Sequence, residues 1–164
     1  MAQSDVTKGI PVGAVFQSGA RTLGEGEFAL LHSLSWVLGR AHTDREYMVK
    51  TEFGERVMAG PLILAIMAGL GDASHILEGE LLVRFGIEII TLVSYENVRF
   101  VSPMLPGDTL KATYEIAEVR ATSKPGRGIV KIKEVCSKDE CLVVAEATAV
   151  FLFQKNRKRN ITID

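Results

Sequence analysis

The chain has 164 residues, the length of one domain with a sizeable core, and it is assigned to a single domain over residues 1–164. Hydrophobic residues make up 47% and charged residues 24%, a soluble globular balance, and a formal net charge of −1 excludes a strong pull toward nucleic acid. The opening MAQSDVTKGIPVG has no charged segment followed by an apolar run, so no signal peptide is expected. The longest apolar run, Pro61 to Leu70, is too short to span a bilayer, and a cytoplasmic protein without membrane contact is the expectation.

Residues 13–21, GAVFQSGAR, form a candidate leading strand. Thr22-Leu23-Gly24-Glu25 then matches a capping box, in which the threonine oxygen takes an orphan N–H and the glutamate three residues on reaches back. Phe28, Leu31, Ser35 and Leu38 follow at helical spacing, and Gly39 is the expected stop. A second capping box, Thr43 to Glu46, starts another helix that ends by Gly54 and places His42 just before the cap. A third helix opens at Gly60 and Pro61, where the missing N–H of proline costs nothing. The run LILAIMAGL, Leu62 to Leu70, is apolar on every side, which predicts a helix buried all round.

The second half reads as strands over 86–101, 108–120, 129–137 and 141–154. Leu110, Ala112, Tyr114 and Ile116 alternate with polar residues, as on a half-buried strand. Turn chemistry joins the strands at Pro106-Gly107-Asp108, at Lys124 to Gly128, and at Ser137 to Glu140. Short turns between consecutive strands imply an antiparallel sheet, so periodicity gives an α+β class. The basic stretch Lys155 to Arg159 reads as a solvated terminus. Cys136 and Cys141 flank the last turn and are expected to be reduced thiols. Two cysteines and three scattered histidines offer no close ligand pair, so no metal site is expected.

Three segments carry a resemblance to a known family: FALLHSLSWVLGRAHTDREYMVKTEFGERV (28–57), AGPLILAIMAGL (59–70) and VRFVSPMLPGDTL (98–110). In this order they resemble the MaoC-like acyl dehydratases, the group that includes the R-specific enoyl-CoA hydratases. The resemblance implies the hot-dog fold, an antiparallel sheet wrapped around one central helix at about residues 60–72. It also implies a hydro-lyase acting on an acyl-CoA or acyl-carrier thioester, with acyl-CoA as substrate and no separate cofactor. A homo-oligomer, a dimer or a multiple of dimers, is implied too.

The family's hydration motif resembles T-G-D-x-N-P-x-H, followed downstream by a His-Gly pair that opens the central helix. Its histidine falls on His42 and its oxyanion glycine on Gly60, which the resemblance makes the catalytic candidates. Negative charge develops on the thioester oxygen in the transition state, and an N–H at the positive end of a helix dipole stabilises it. Ala59 stands where the family has the paired histidine, Arg40 where it has proline, and Val37 where it has the acid. Val37, Arg40, Ala59 and Pro61 are the substrate-binding candidates. Valine can neither accept a proton nor orient a water. No carboxylate lies between Glu27 and Asp44, and Asp44 and Glu25 are expected to close capping boxes. Glu88, Glu96 and Glu146 are acids on distant strands that could stand in, although alternation turns Glu146 outward. His32 and His75 have no motif around them and read as ordinary histidines, and Arg40 as a solvated one.

Two other functions fit the same residues. Loss of the acid at Val37 suits a non-catalytic thioester binder, or the degenerate partner of a heteromeric hydratase. A thioesterase would want a carboxylate on the buried helix, which has none until Asp72.

Overall fold

The structure, a computed structural model, describes residues 6–139 and 141–155. Its first strands are short. β1 (Val15–Gln17) and β2 (Arg21–Thr22) both pair with the later strand β4 (Thr109–Ala121), so the expected leading strand is split in two. Helix α1 (Glu25–Ser35) follows, then two single turns, α2 (Arg40–Thr43) and α3 (Arg45–Met48). The central helix α4 (Gly60–Ala73) bends by 50° into α5 (Ile76–Arg84), a helix of π geometry. Four long strands complete the chain: β3 (Ile87–Phe100), β4 (Thr109–Ala121), β5 (Arg127–Lys138) and β6 (Leu142–Lys155).

The strands form one antiparallel sheet in the order β1-β4-β5-β6-β3, with β2 also on β4. Period-two alternation decides which face is buried. Leu110, Ala112, Tyr114 and Ile116 of β4 point inward, as do Val130, Ile132, Glu134 and Cys136 of β5. Helix α4 lies against this face through Leu62, Ile63, Met67 and Leu70, and Phe28 of α1 closes the core beside it. This is the α+β hot-dog arrangement. Its central helix spans residues 60–73, one residue beyond the expectation.

The helix is not buried all round. Pro61, Ala65 and Gly69 form an exposed stripe, because the sheet of one chain covers one side of α4 and small residues face the other. The caps also shift. Gly24, not Thr22, precedes α1, and Glu27, not Glu25, reaches back to its N–H at 3.1 Å. Thr22 instead pairs with Thr109 across the sheet, and Glu25 binds Arg56 at 2.8 Å. Helix α1 stops before Gly39, at Trp36, which turns left-handed (φ 60°). Asp44, not Thr43, caps α3 by accepting the Tyr47 N–H at 2.9 Å, and α3 ends at Met48, well before Gly54. His42 therefore lies inside the turn α2.

Both cysteines are free thiols. Cys136 is buried opposite Ala145, so Cys141 is not its cross-strand partner. Glu140 and the basic residues 156–159 lie outside the described residues. No single described helix is long and apolar enough to cross a membrane.

Candidate active site

The segment between α3 and α4 ties the site together. The N–H of Val57 donates to the carbonyl of Ala41, and the N–H of Met58 donates to the carbonyl of Met104 at 2.8 Å. Met104, fully buried, belongs to the PMLPGD turn. That turn is fixed by Asp108, which accepts the Leu105 N–H and pairs with the buried Lys138 at 2.7 Å. The chain thus enters α4 from a clamped backbone.

His42 sits against this segment. Its Nδ1 lies 2.7 Å from the Val57 carbonyl oxygen. A carbonyl only accepts, so Nδ1 carries a proton, and in the neutral imidazole Nε2 keeps its lone pair. The imidazole is half-buried. Its face stacks on the ring of His32 at 4.9 Å and 14° between planes.

His32 is the residue that sequence reasoning missed. It is 1% exposed, its Nδ1–H donates to the Phe28 carbonyl at 2.9 Å, and its Nε2 accepts the Ala59 N–H at 3.2 Å. Both ring nitrogens are committed to the neutral form. Burial holds its pKa below the ordinary histidine range; the charge of Arg56, and that of His42 whenever it is protonated, push the same way, against the bond to the Phe28 carbonyl. The sequence did carry one signal: His32 follows the buried Phe28 by four residues, on the inward face of α1.

Through His32, His42 is linked to Ala59, the residue that precedes α4. Gly60 opens that helix. Its N–H has no acceptor among the described residues, as expected for the first turn of a helix. Phe100 of β3 packs on the glycine so closely that a Cβ there would lie 2.5 Å from the ring. The structure therefore gathers His42, Ala59 and Gly60, with an imidazole lone pair and a helix-end N–H in one region.

The other predicted residues divide. Pro61 is exposed in the first turn of α4, and Val37 is half-buried against the core. Arg40 lies on the surface, 2.9 Å from Asp44 and 4.2 Å over the Tyr47 ring. Asp44 is committed to its cap, and that backbone bond, with Arg40, holds its carboxyl below the usual range. The distant acids are each engaged: Glu88 accepts from Gln154, Glu96 pairs with Lys131, and Glu146 pairs with Arg99 across the sheet.

Comparison with known proteins bears on the same segments. The chain is 33% identical over 92 residues to protein MaoC of Klebsiella aerogenes, covering 56% of this chain and 24% of that one. It is 34% identical over 98 residues to a 3-hydroxyacyl-[acyl-carrier-protein] dehydratase, FabZ, of Clostridium tetani, covering 60% and 61% respectively. The chain thus spans less than two thirds of either relative. The monoamine oxidase regulatory protein from Archaeoglobus fulgius superposes with a TM-score of 0.78 at 26% identity, over 90% of this chain and 92% of that one. The family model described as a MaoC like domain matches residues 38–136, from just before His42 to the buried Cys136. The chain belongs to the MaoC-like domain family.

Proposed function

We propose that this chain, as a single hot-dog domain, is a hydro-lyase that adds water to a 2-enoyl thioester, or removes it from a 3-hydroxyacyl thioester, of CoA or an acyl carrier. One observation carries the reading: His42, with Nδ1 held by Val57 and Nε2 free, stands beside a helix start whose Gly60 N–H has no acceptor among the described residues. In hydration, Nε2 takes a proton from water as its oxygen bonds to C3. The C2=C3 electron pair moves onto the thioester oxygen, where the Gly60 N–H receives the charge. As that charge collapses, the imidazolium returns its proton to C2.

Val37 removes the second group that would hold the water. His42 therefore serves in turn as base and acid, and a slower enzyme than one with a full pair is expected. The reaction needs no metal and no organic cofactor, and it suits a cytoplasmic enzyme.

A second copy of the chain is the expected partner. β3 pairs only with β6, so its other edge has no strand on it among the described residues, and Ile90, Leu92, Val98 and Phe100 on it are exposed.

The test is a hydration assay on purified protein with short, medium and branched 2-enoyl-CoA substrates, with His42→Ala as control. Turnover should fall by about 10²–10⁴-fold in the variant. Undiminished turnover would refute the role of His42. Tight binding of acyl-CoA with no turnover in the unaltered protein would favour the second reading, a non-catalytic partner, for which Val37 speaks.

A further inference from the structure

We propose that the acyl group taken by this protein carries a hydrogen-bond donor, a hydroxyl or an ammonium, at its distal end, and that Glu134 receives it. The inference rests on the thioester reading above and names the substrate class within it.

Glu134 lies on the inward face of β5, between Ile132 and Cys136, and opposite Tyr114 of β4. It is 3% exposed, and its Oε2 has no partner among the described residues. A buried carboxyl without partners costs several kcal/mol, and apolar residues fill such positions on the same face. The side chain forms part of the wall of a cavity of about 210 Å³ between α4 and the sheet. Gly71, Ile76 and Phe151 line it, and the exposed Asp72 and Leu92 stand at its edge.

The polar groups around the cavity are mostly acceptors. The Tyr114 hydroxyl already donates to the Met67 carbonyl at 2.5 Å, which leaves its lone pairs. Burial, and then the negative potential of the Asp72 carboxylate, pushes Glu134 up to about 7. Tyr95, also in the wall, is raised to about 12 by burial and by Glu134. A ligand that fits these walls is aliphatic along its length and brings a donor at its tip.

Two elements give comparable distances to the thioester end. Gly60 and Gly71 share a face of α4, and eleven residues of helix rise about 16 Å. Phe100, which packs on Gly60, and Tyr95, in the cavity wall, flank an irregular stretch of β3 and face Ala145 and Ala149 of β6, four residues apart, about 13 Å. An extended chain advances about 1.3 Å per carbon–carbon bond of about 1.5 Å, so on the order of a dozen carbons spans the gap.

Calorimetric binding of dodecanoyl-CoA, ω-hydroxydodecanoyl-CoA and ω-aminododecanoyl-CoA to the full chain tests this. The donor-tipped thioesters should bind about ten- to a hundredfold more tightly than the methyl-ended one. Glu134→Leu should abolish that preference while still binding dodecanoyl-CoA. Glu134→Gln, which disturbs packing least, should keep the hydroxyl preference and lose the ammonium preference. Equal or tighter binding of the methyl-ended thioester by the unaltered protein overturns the proposal, as does a donor preference that survives Glu134→Leu. Failure of all three thioesters to bind overturns the underlying thioester reading, and the proposal with it.

Discussion

Glu134→Gln should change how the stability of the protein depends on pH. The Glu134 carboxyl is raised from 4.5 to about 7, first by burial and then by the charge of Asp72. In the unfolded chain the group ionises near 4.5, while the folded protein keeps its proton until near 7. Between these values the folded state binds more protons, so stability falls as pH rises. Below pH 4.5 the ionisation penalty is absent, and above about 7 it is complete. At about 1.4 kcal/mol per unit, the shift amounts to about 3 kcal/mol. Glutamine cannot ionise, so its variant lacks this loss. It also leaves a buried amide short of partners, an offset that does not vary with pH. Urea denaturation of both proteins, at pH 5 and pH 8 and at one protein concentration, separates the two effects. Because ionisation of the unfolded chain has already begun at pH 5, the variant should gain about 2.5 kcal/mol on the unaltered protein between the two pH values. His32 titrates in the opposite sense but is common to both proteins and cancels. A stability difference that stays constant with pH would refute the claim that Glu134 ionises at a cost inside the fold.

Replacing His32 by leucine strands the buried Ala59 N–H, which should cost about 1–3 kcal/mol in urea denaturation and slow turnover at unchanged KM. An unchanged kcat would show that the stacked ring has no bearing on the site. Gly60→Ala sets a Cβ against the Phe100 ring and should destabilise by about 1–3 kcal/mol, with Phe100→Ala in the same chain relieving it. A Tm that the second substitution fails to recover would count against that contact. Lys138→Met leaves the largely buried Asp108 without its cation and should cost about 3 kcal/mol. Adding Asp108→Asn should recover part of that loss, as read by thermal denaturation.

The four long strands were legible to within two residues, because alternation along a half-buried face and Pro-Gly turns are local signals. Helix α4 was legible for the same reason, through its proline start and apolar run. The caps were less so. Thr22 and Glu25 have the right types and spacing, but partners distant in sequence, Thr109 and Arg56, claim their side chains. The π geometry of residues 76–84 and the left-handed turn at Trp36 have no comparable local signature. In the site, His42 and Gly60 could be singled out only through the family resemblance. The contact of His32 with Ala59 spans 27 residues and needed the fold. Glu134 was within reach, since Val130, Ile132, Glu134 and Cys136 share one face of a strand whose other members are apolar.

The contact between Phe100 and Gly60 ties the site to the rim of the sheet. Phe100 is the last residue of β3, an edge strand whose outer side carries no strand among the described residues. No Cβ separates its ring from the backbone of Gly60, so any displacement of that end of the strand is felt directly at the helix start. Anything that docks along the rim therefore governs the freedom of the side chain that packs on Gly60. If the proposed enzyme pairs along this edge, its specific activity depends on that pairing and should decline on dilution before the protein unfolds.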